Sequence, residues 1–205
     1  MTPFGVTPFG ATPFGATPFL DTACGIARRI SRDAIWWEGC CNWIGPFIET
    51  FQVWDVRHKS LGPDLYCGTS GVALFLALVA KAVDDPLIRK TAEGAARHAA
   101  SHAKQIPAQQ RIGVYSGTLG IAWSLVEVDR ILGDGGWTER AIALLDGIEG
   151  DIPGAGLDVM SGYAGAIPAL LALAQRCKRP AWKGLSLRCG EELERAAVRS
   201  PEGWS

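Results

Sequence analysis

Three stretches of the chain share one pattern of apolar and polar positions: a short apolar lead, a Gly-x-x-Gly, then a long run that is almost wholly apolar. They read DLYCGTSGVALFLALVAKAV (64–83), IGVYSGTLGIAWSLVEVDRIL (112–132) and LDVMSGYAGAIPALLALAQRC (157–177). The glycine pairs are Gly68/Gly71, Gly117/Gly120 and Gly162/Gly165, and the first glycines follow one another at intervals of 49 and 45 residues. A period of that size marks one supersecondary unit used repeatedly. Each run is too long for a strand and rich in Ala and Leu, which predicts a helix. Being apolar nearly all round, it predicts a buried one.

Between these runs the pattern turns amphipathic. Asp85-Pro86 supplies an N-cap and a first-turn proline for LIRKTAEGAARHAASHAKQI, which Pro107 stops. WTERAIALLDGI follows Gly135-Gly136 with Thr138 as its candidate cap, and RPAWKGLSLRCGEELERAAV begins near Pro180. DTACGIARRISRDAIWW reads as one more outer helix. The order predicts an all-α fold of repeated helical hairpins. One member of each pair is far more apolar than the other, which favours an inner ring inside an outer ring over an open solenoid. Glycines at the inner helix starts would let those starts crowd around the mouth of a cavity. Converging helix N-termini there would favour anions and thiolates. Pro168 interrupts the third inner run and predicts a kink.

Ahead of the repeats stands MTPFGVTPFGATPFGATPFLD, with proline at 3, 8, 13 and 18. Proline at that period excludes a helix or a central strand through the segment. Residues 1–20 are therefore expected to form a low-complexity, disordered TPFG-repeat tail, and residues 21–205 the domain. The prolines are never three apart, so the tail does not fit a groove that reads PxxP.

Composition narrows the class. At 205 residues and 48% hydrophobic, the chain suits one domain with a sizeable core. Twenty basic and 21 acidic residues leave no basic stripe for nucleic acid. The longest apolar run, Val72 to Ala80, falls well short of the about 20 residues a membrane helix needs. The N-terminus lacks signal-peptide features, so a cytoplasmic location is expected, with the six cysteines as thiols. Adjacent Cys40 and Cys41 read as structural, since no histidine follows at finger spacing. His98 and His102 stand one turn apart and could grip a metal, but without an intervening Glu they read as solvent-face residues.

WIGP (43–46) and the three repeat segments together resemble the lanthionine synthetase C-like family. Its members carry LYxGxxGIALFLA, GxxSGxxGIAxAL and LDVxSGxAGxIxALL, and the likeness spans most of residues 36–205. The resemblance implies about half of an (α/α)6 toroid. It further implies kinship with zinc-dependent cyclases that add peptide Cys thiols to dehydrated Ser or Thr, closing thioether rings. The matching Asp of LDVxSG is Asp158, which the resemblance places beside the reaction; a helix-capping role is the alternative. The family's zinc ligands lie in later segments around WCxG and CHG, and its acid/base His in SHGxxG. This chain reaches SPEGWS where the next repeat is expected, so no zinc is expected on it and it is expected to be inactive alone. Its expected partners are a peptide substrate and, through an exposed apolar edge, itself. Cys67 stands where the family often has Asp; it is expected either to pack or to carry a lowered pKa near a helix N-terminus. Two rival readings are a non-catalytic peptide-binding scaffold and a carbohydrate-processing toroid. The latter wants aromatics at the mouth, whereas Trp36, Trp37, Trp43 and Trp54 cluster early.

Overall fold

The computed structural model describes residues 18–48, 56–133, 135–200 and 203–204. The first 17 residues of the TPFG segment, and Trp54, lie outside the described residues. Helix α1 (Pro18–Arg32) begins inside the stretch read as tail, with proline at its first position, where the missing N–H is no loss. Its predicted continuation through Ile35-Trp36-Trp37 is instead a strand. Two short antiparallel hairpins follow: β1 (Ile35–Trp37) with β2 (Cys40–Asn42), and β3 (Ile44–Ile48) with β4 (Val56–Ser60). Glu38 and Gly39 make the first turn with positive φ of 48° and 78°. This hairpin lies on the next outer helix because Gly94 there leaves room for the Trp36 ring, which a Cβ would meet at 2.6 Å.

The remaining helices fall into the predicted alternation. α2 (Thr69–Val83), α4 (Thr118–Leu132) and α6 (Tyr163–Arg176) are the inner helices; α3 (Pro86–His102), α5 (Trp137–Leu144) and α7 (Ala181–Ala196) are their outer partners. Each inner helix packs on the outer helix that follows it, and α4 lies between α2 and α6. The middle helix is accordingly buried on nearly every face, whereas Leu78 of α2 and Leu171 of α6 remain 53% and 45% exposed on the flanks of the arc. A short closing ladder pairs β5 (Arg199–Ser200) with β6 (Gly203–Trp204). The chain is an all-α fold of helical hairpins, in the layered arrangement of an α/α toroid.

Capping follows the sequence with one exception. Asp85 Oδ1 accepts from Leu87 N and Ile88 N at the start of α3, as expected. The start of α5 is held from outside: Asp129 on α4 accepts from Gly135 N, Trp137 N and Thr138 N, and from the Thr138 hydroxyl at 2.6 Å. Thr138 is thus a donor to a neighbouring helix rather than the cap. α6 runs through Pro168 without interruption.

Candidate functional site

The site is built from the loops that lead into the inner helices. Aligned on their first glycines, these leads correspond residue by residue: Asp64-Leu65-Tyr66-Cys67, Gly113-Val114-Tyr115-Ser116 and Asp158-Val159-Met160-Ser161. The first glycines have extended φ of −115°, −115° and −124°, which any residue adopts. What they supply is space. A Cβ on Gly68 would stand 2.5 Å from Gly62 O, and one on Gly117 or Gly162 would strike Gln110 O or Gly156 O. At the second glycines, a Cβ on Gly71, Gly120 or Gly165 would collide with the carbonyl oxygen of Leu65, Val114 or Val159. The Gly-x-x-Gly therefore presses each lead against its own helix, rather than mainly letting neighbouring helix starts crowd together as expected.

That contact uses up N-terminal donors. Thr69 N donates to Gly62 O at 2.8 Å, Leu119 N to Arg111 O at 3.0 Å, and Tyr163 N to Gly156 O at 2.9 Å. The expected free field of helix N-termini is reduced accordingly, because lead-loop carbonyls occupy positions an anion would take. The three leads are also tied edge to edge. Leu65 N and Tyr66 N both donate to Tyr115 O (3.1 and 2.9 Å), Tyr115 N donates to Met160 O (3.0 Å), and the Ser116 hydroxyl donates to Ser161 Oγ (3.1 Å).

Asp158 lies exposed in the third lead. Its Oδ1 accepts from Met160 N at 2.6 Å and Ser161 N at 2.8 Å. The Ser161 hydrogen bond foremost holds its carboxyl below the usual range, against an opposing effect of burial and with a smaller contribution from the Met160 hydrogen bond. Asp64 repeats the arrangement in the first lead, accepting from Cys67 N at 2.9 Å. The middle lead has Gly113 at this position because Ser161 Cα lies 2.8 Å from where its Cβ would be. Asp64 went unremarked in the sequence, although aligning the repeats puts it in register with Asp158.

Cys67 neither packs nor ionises easily. It is exposed, and its thiol lies 3.5 Å from Asp64 Oδ1. Local burial, then the Asp64 charge, raise its pKa rather than lower it. Cys41 is buried on β2, its thiol donating to Thr91 O at 3.4 Å, and burial pushes it up to about 12.

His98 is not a solvent-face residue. It is half-buried between α3, α2 and β2, with Nε2 2.9 Å from Asn42 Nδ2 and Nδ1 2.9 Å from Thr69 Oγ1. Asn42 Oδ1 already accepts from Trp43 N and Leu61 N, so its amide faces His98 as a donor. Nε2 therefore accepts, and the proton sits on Nδ1 pointing at Thr69. Burial foremost, then His102 stacked at 4.0 Å between ring centroids, lower the His98 pKa to about 4. Both ring nitrogens are thus committed, Nδ1 joining α3 to the start of α2 and Nε2 joining it to β2.

A zinc ion finds no fit among the described residues. Among the described residues no three His, Cys, Asp or Glu side chains come together as a ligand set. The Cys67 thiol in the first lead faces the Asp64 carboxylate, and the His98 imidazole spends both nitrogens on protein partners.

Behind the leads, the inner faces of the three inner helices enclose an open apolar cavity of about 510 Å³. Its wall repeats with the sequence: Leu65, Val114 and Val159 from the leads form one tier, and Leu74, Trp123 and Pro168, each six residues after a first glycine, form a deeper one. Pro168, an anomaly in a helix, is thereby a wall residue equivalent to Leu74 and Trp123. Among the described residues no helix is long and apolar enough to cross a membrane. No curated protein matches the chain. The profile of the family described as lanthionine synthetase C-like protein matches residues 59–200, from the end of β4 through all three repeats to the end of α7 and just beyond. With well over half its length so matched, the chain belongs to the lanthionine synthetase C-like family.

Proposed function

We propose that the chain serves thioether-ring formation in peptides, in which a Cys thiol adds across the double bond of a dehydrated Ser or Thr. The S–C bond forms at the β carbon, the π electrons pass into an enolate, and a proton returns to the α carbon. The observation that supports this reading is the placement of Asp158, next to the wall residue Val159, where the tied leads border an apolar cavity. A carboxyl held below its usual range is a poor acid near neutral pH, so Asp158 would accept or orient a proton rather than donate one. Activation of the thiol would have to come from groups beyond those described, and the chain is proposed to be inactive alone. The exposed flanks at Leu78 and Leu171 favour self-association of the isolated chain. We place it in the cytoplasm, acting on a ribosomally made peptide.

One observation favours a second reading, a peptide-binding protein without catalysis: Asp64 makes the turn that Asp158 makes, and so both serve the fold. A carbohydrate-processing role has less support, since Trp123 and Tyr115 border the cavity but no acidic side chain lines it. The test is fusion of this chain to the last three repeats of a competent relative, with a dehydrated peptide as substrate. Ring closure is followed as loss of alkylatable thiol. The catalytic reading expects closure by the fusion and a loss of about 10²-fold or more in Asp158→Asn, with Asp64→Asn nearly unaffected. Equal closure by Asp158→Asn, with stability lowered by about 1 kcal/mol, would reduce Asp158 to a turn residue.

A further inference from the structure

We infer that a second pocket, sharing no lining residue with the apolar cavity, binds a small zwitterion that carries one ammonium and one carboxylate on an aliphatic body, the class of a free amino acid. It measures about 330 Å³, enough for such a molecule, and lies between the residues that follow α3, the start of α4 and the end of α5. Comparison of the repeats explains why this place is open. The residue after the first glycine is Thr69, Thr118 or Tyr163. In the flanking repeats its hydroxyl is partnered: Thr69 Oγ1 lies 2.9 Å from His98 Nδ1, and the Tyr163 hydroxyl donates to Ile152 O. Thr118 is likewise buried and lines the pocket, but its hydroxyl has no hydrogen-bond partner among the described residues. Thr69 draws its partner from α3, which runs 17 residues, whereas α5 runs eight and ends at Leu144. His98 stands 29 residues after Thr69; 29 residues after Thr118 stands Gly147, which lines the pocket at φ 80° and has no side chain to offer. Buried polar groups are ordinarily paired, so the second repeat has a space where the first has a side chain.

The charges around that space set the occupant. Lys104 and Arg111 line it together with Asp146 and Asp151. Arg111 is engaged: its Nη1 lies 3.6 Å from Asp151 Oδ1, and its Nε donates to Ile106 O at 3.3 Å. Lys104 and Asp146 are exposed, and neither has an ion-pair partner among the described residues. A simple anion would meet two carboxylates and a simple cation two basic groups. A zwitterion instead pairs with the free ammonium and the free carboxylate together. Ala103, Ala143, Leu144 and Ile148 complete the wall and give an aliphatic side chain an apolar surface to cover.

The experiment titrates the full chain near neutral pH with leucine, with N-acetyl-leucine, which lacks the ammonium, and with leucinamide, which lacks the carboxylate. Binding is read by calorimetry and ligand-observed NMR. Leucine is expected to bind saturably, and each blocked form about fivefold more weakly, since each gives up one exposed ion pair. Lys104→Gln and Asp146→Asn change exposed side chains without partners, so both variants are expected to fold, which circular dichroism checks. In Lys104→Gln, leucine should lose its advantage over leucinamide and keep that over N-acetyl-leucine; in Asp146→Asn the reverse is expected. Absence of saturable leucine binding, a blocked form that binds as well as leucine, or preferences left unchanged in either folded variant would overturn the inference. These titrations do not depend on ring formation, so their outcome and that of the fusion are independent.

Discussion

Replacing Gly120 by alanine adds a single methyl group, yet the structure leaves it nowhere to go. The new Cβ would overlap Val114 O and stand 2.6 Å from Val114 C, with Leu65 Cβ at 3.4 Å on the other side. Both obstacles in the lead are backbone, so no rotamer change relieves the clash. Either the second lead lifts from α4 or the helix start moves by about 1 Å or more, and either motion strains the Gly120 N to Gly113 O bond and the link from Tyr115 N to Met160 O. Overpacking of a rigid core costs about 1–3 kcal/mol, and loss of one or two such bonds adds about 1 kcal/mol each. A destabilisation of about 2–5 kcal/mol is expected. Gly184→Ala on α7 is the matched control: it also lies within a helix, but nothing stands within 4 Å of its new Cβ. There the better helix propensity of alanine should stabilise by about 0.5–1 kcal/mol. Urea denaturation followed by far-UV circular dichroism compares the two directly. A Gly120→Ala variant within about 1 kcal/mol of the parent would refute the steric account of the Gly-x-x-Gly.

The repeat that carries this clash was readable from the sequence, because glycine spacing and long apolar runs report on burial directly. The three hairpins, the Asp85 cap and the stop before Pro107 follow from local chemistry alone. The features that escaped depend on contacts between segments far apart in the chain. Ile35-Trp36-Trp37 looked like the tail of a helix, and it is a strand because the Glu38-Gly39 turn folds it onto Cys40–Asn42. Thr138 had the composition of a cap, but Asp129 reaches it from another helix. His98 sits among alanines, which suggested solvent; those alanines are the buried face of α3, and the ring's partners come from positions 42 and 69. The role of Pro168 needed the alignment of the repeats as well as the cavity, since only then does it share a wall with Leu74 and Trp123.

Two predictions concern the remaining titratable groups. With an Ellman-type reagent on the native chain, Cys67 should react first, since it is the exposed thiol, and Cys41 and Cys189 should react only on unfolding. Labelling of Cys189 at the rate of Cys67 would contradict its burial, which also raises its pKa to about 11. The second concerns acid. His98 titrates near 6.5 when unfolded and near 4 when folded, so between those values the unfolded chain binds a proton that the folded chain refuses. Stability attributable to this ring is therefore complete above about pH 6.5, falls as pH drops toward 4, and falls no further below it. At ~1.4 kcal/mol per pH unit a fully buried ring would lose on the order of 3 kcal/mol across that window. His98 is only half-buried, and water screening reduces the expectation to about 1–2 kcal/mol. Replacement by glutamine keeps an amide able to meet Thr69 or Asn42 but removes the proton site, so the difference in stability between pH 7 and pH 4.5 should shrink by that amount in His98→Gln. Parallel pH profiles for the two proteins, or a His98 ring resonance titrating near 6.5, would show that the network with Asn42 and Thr69 does not hold the imidazole neutral.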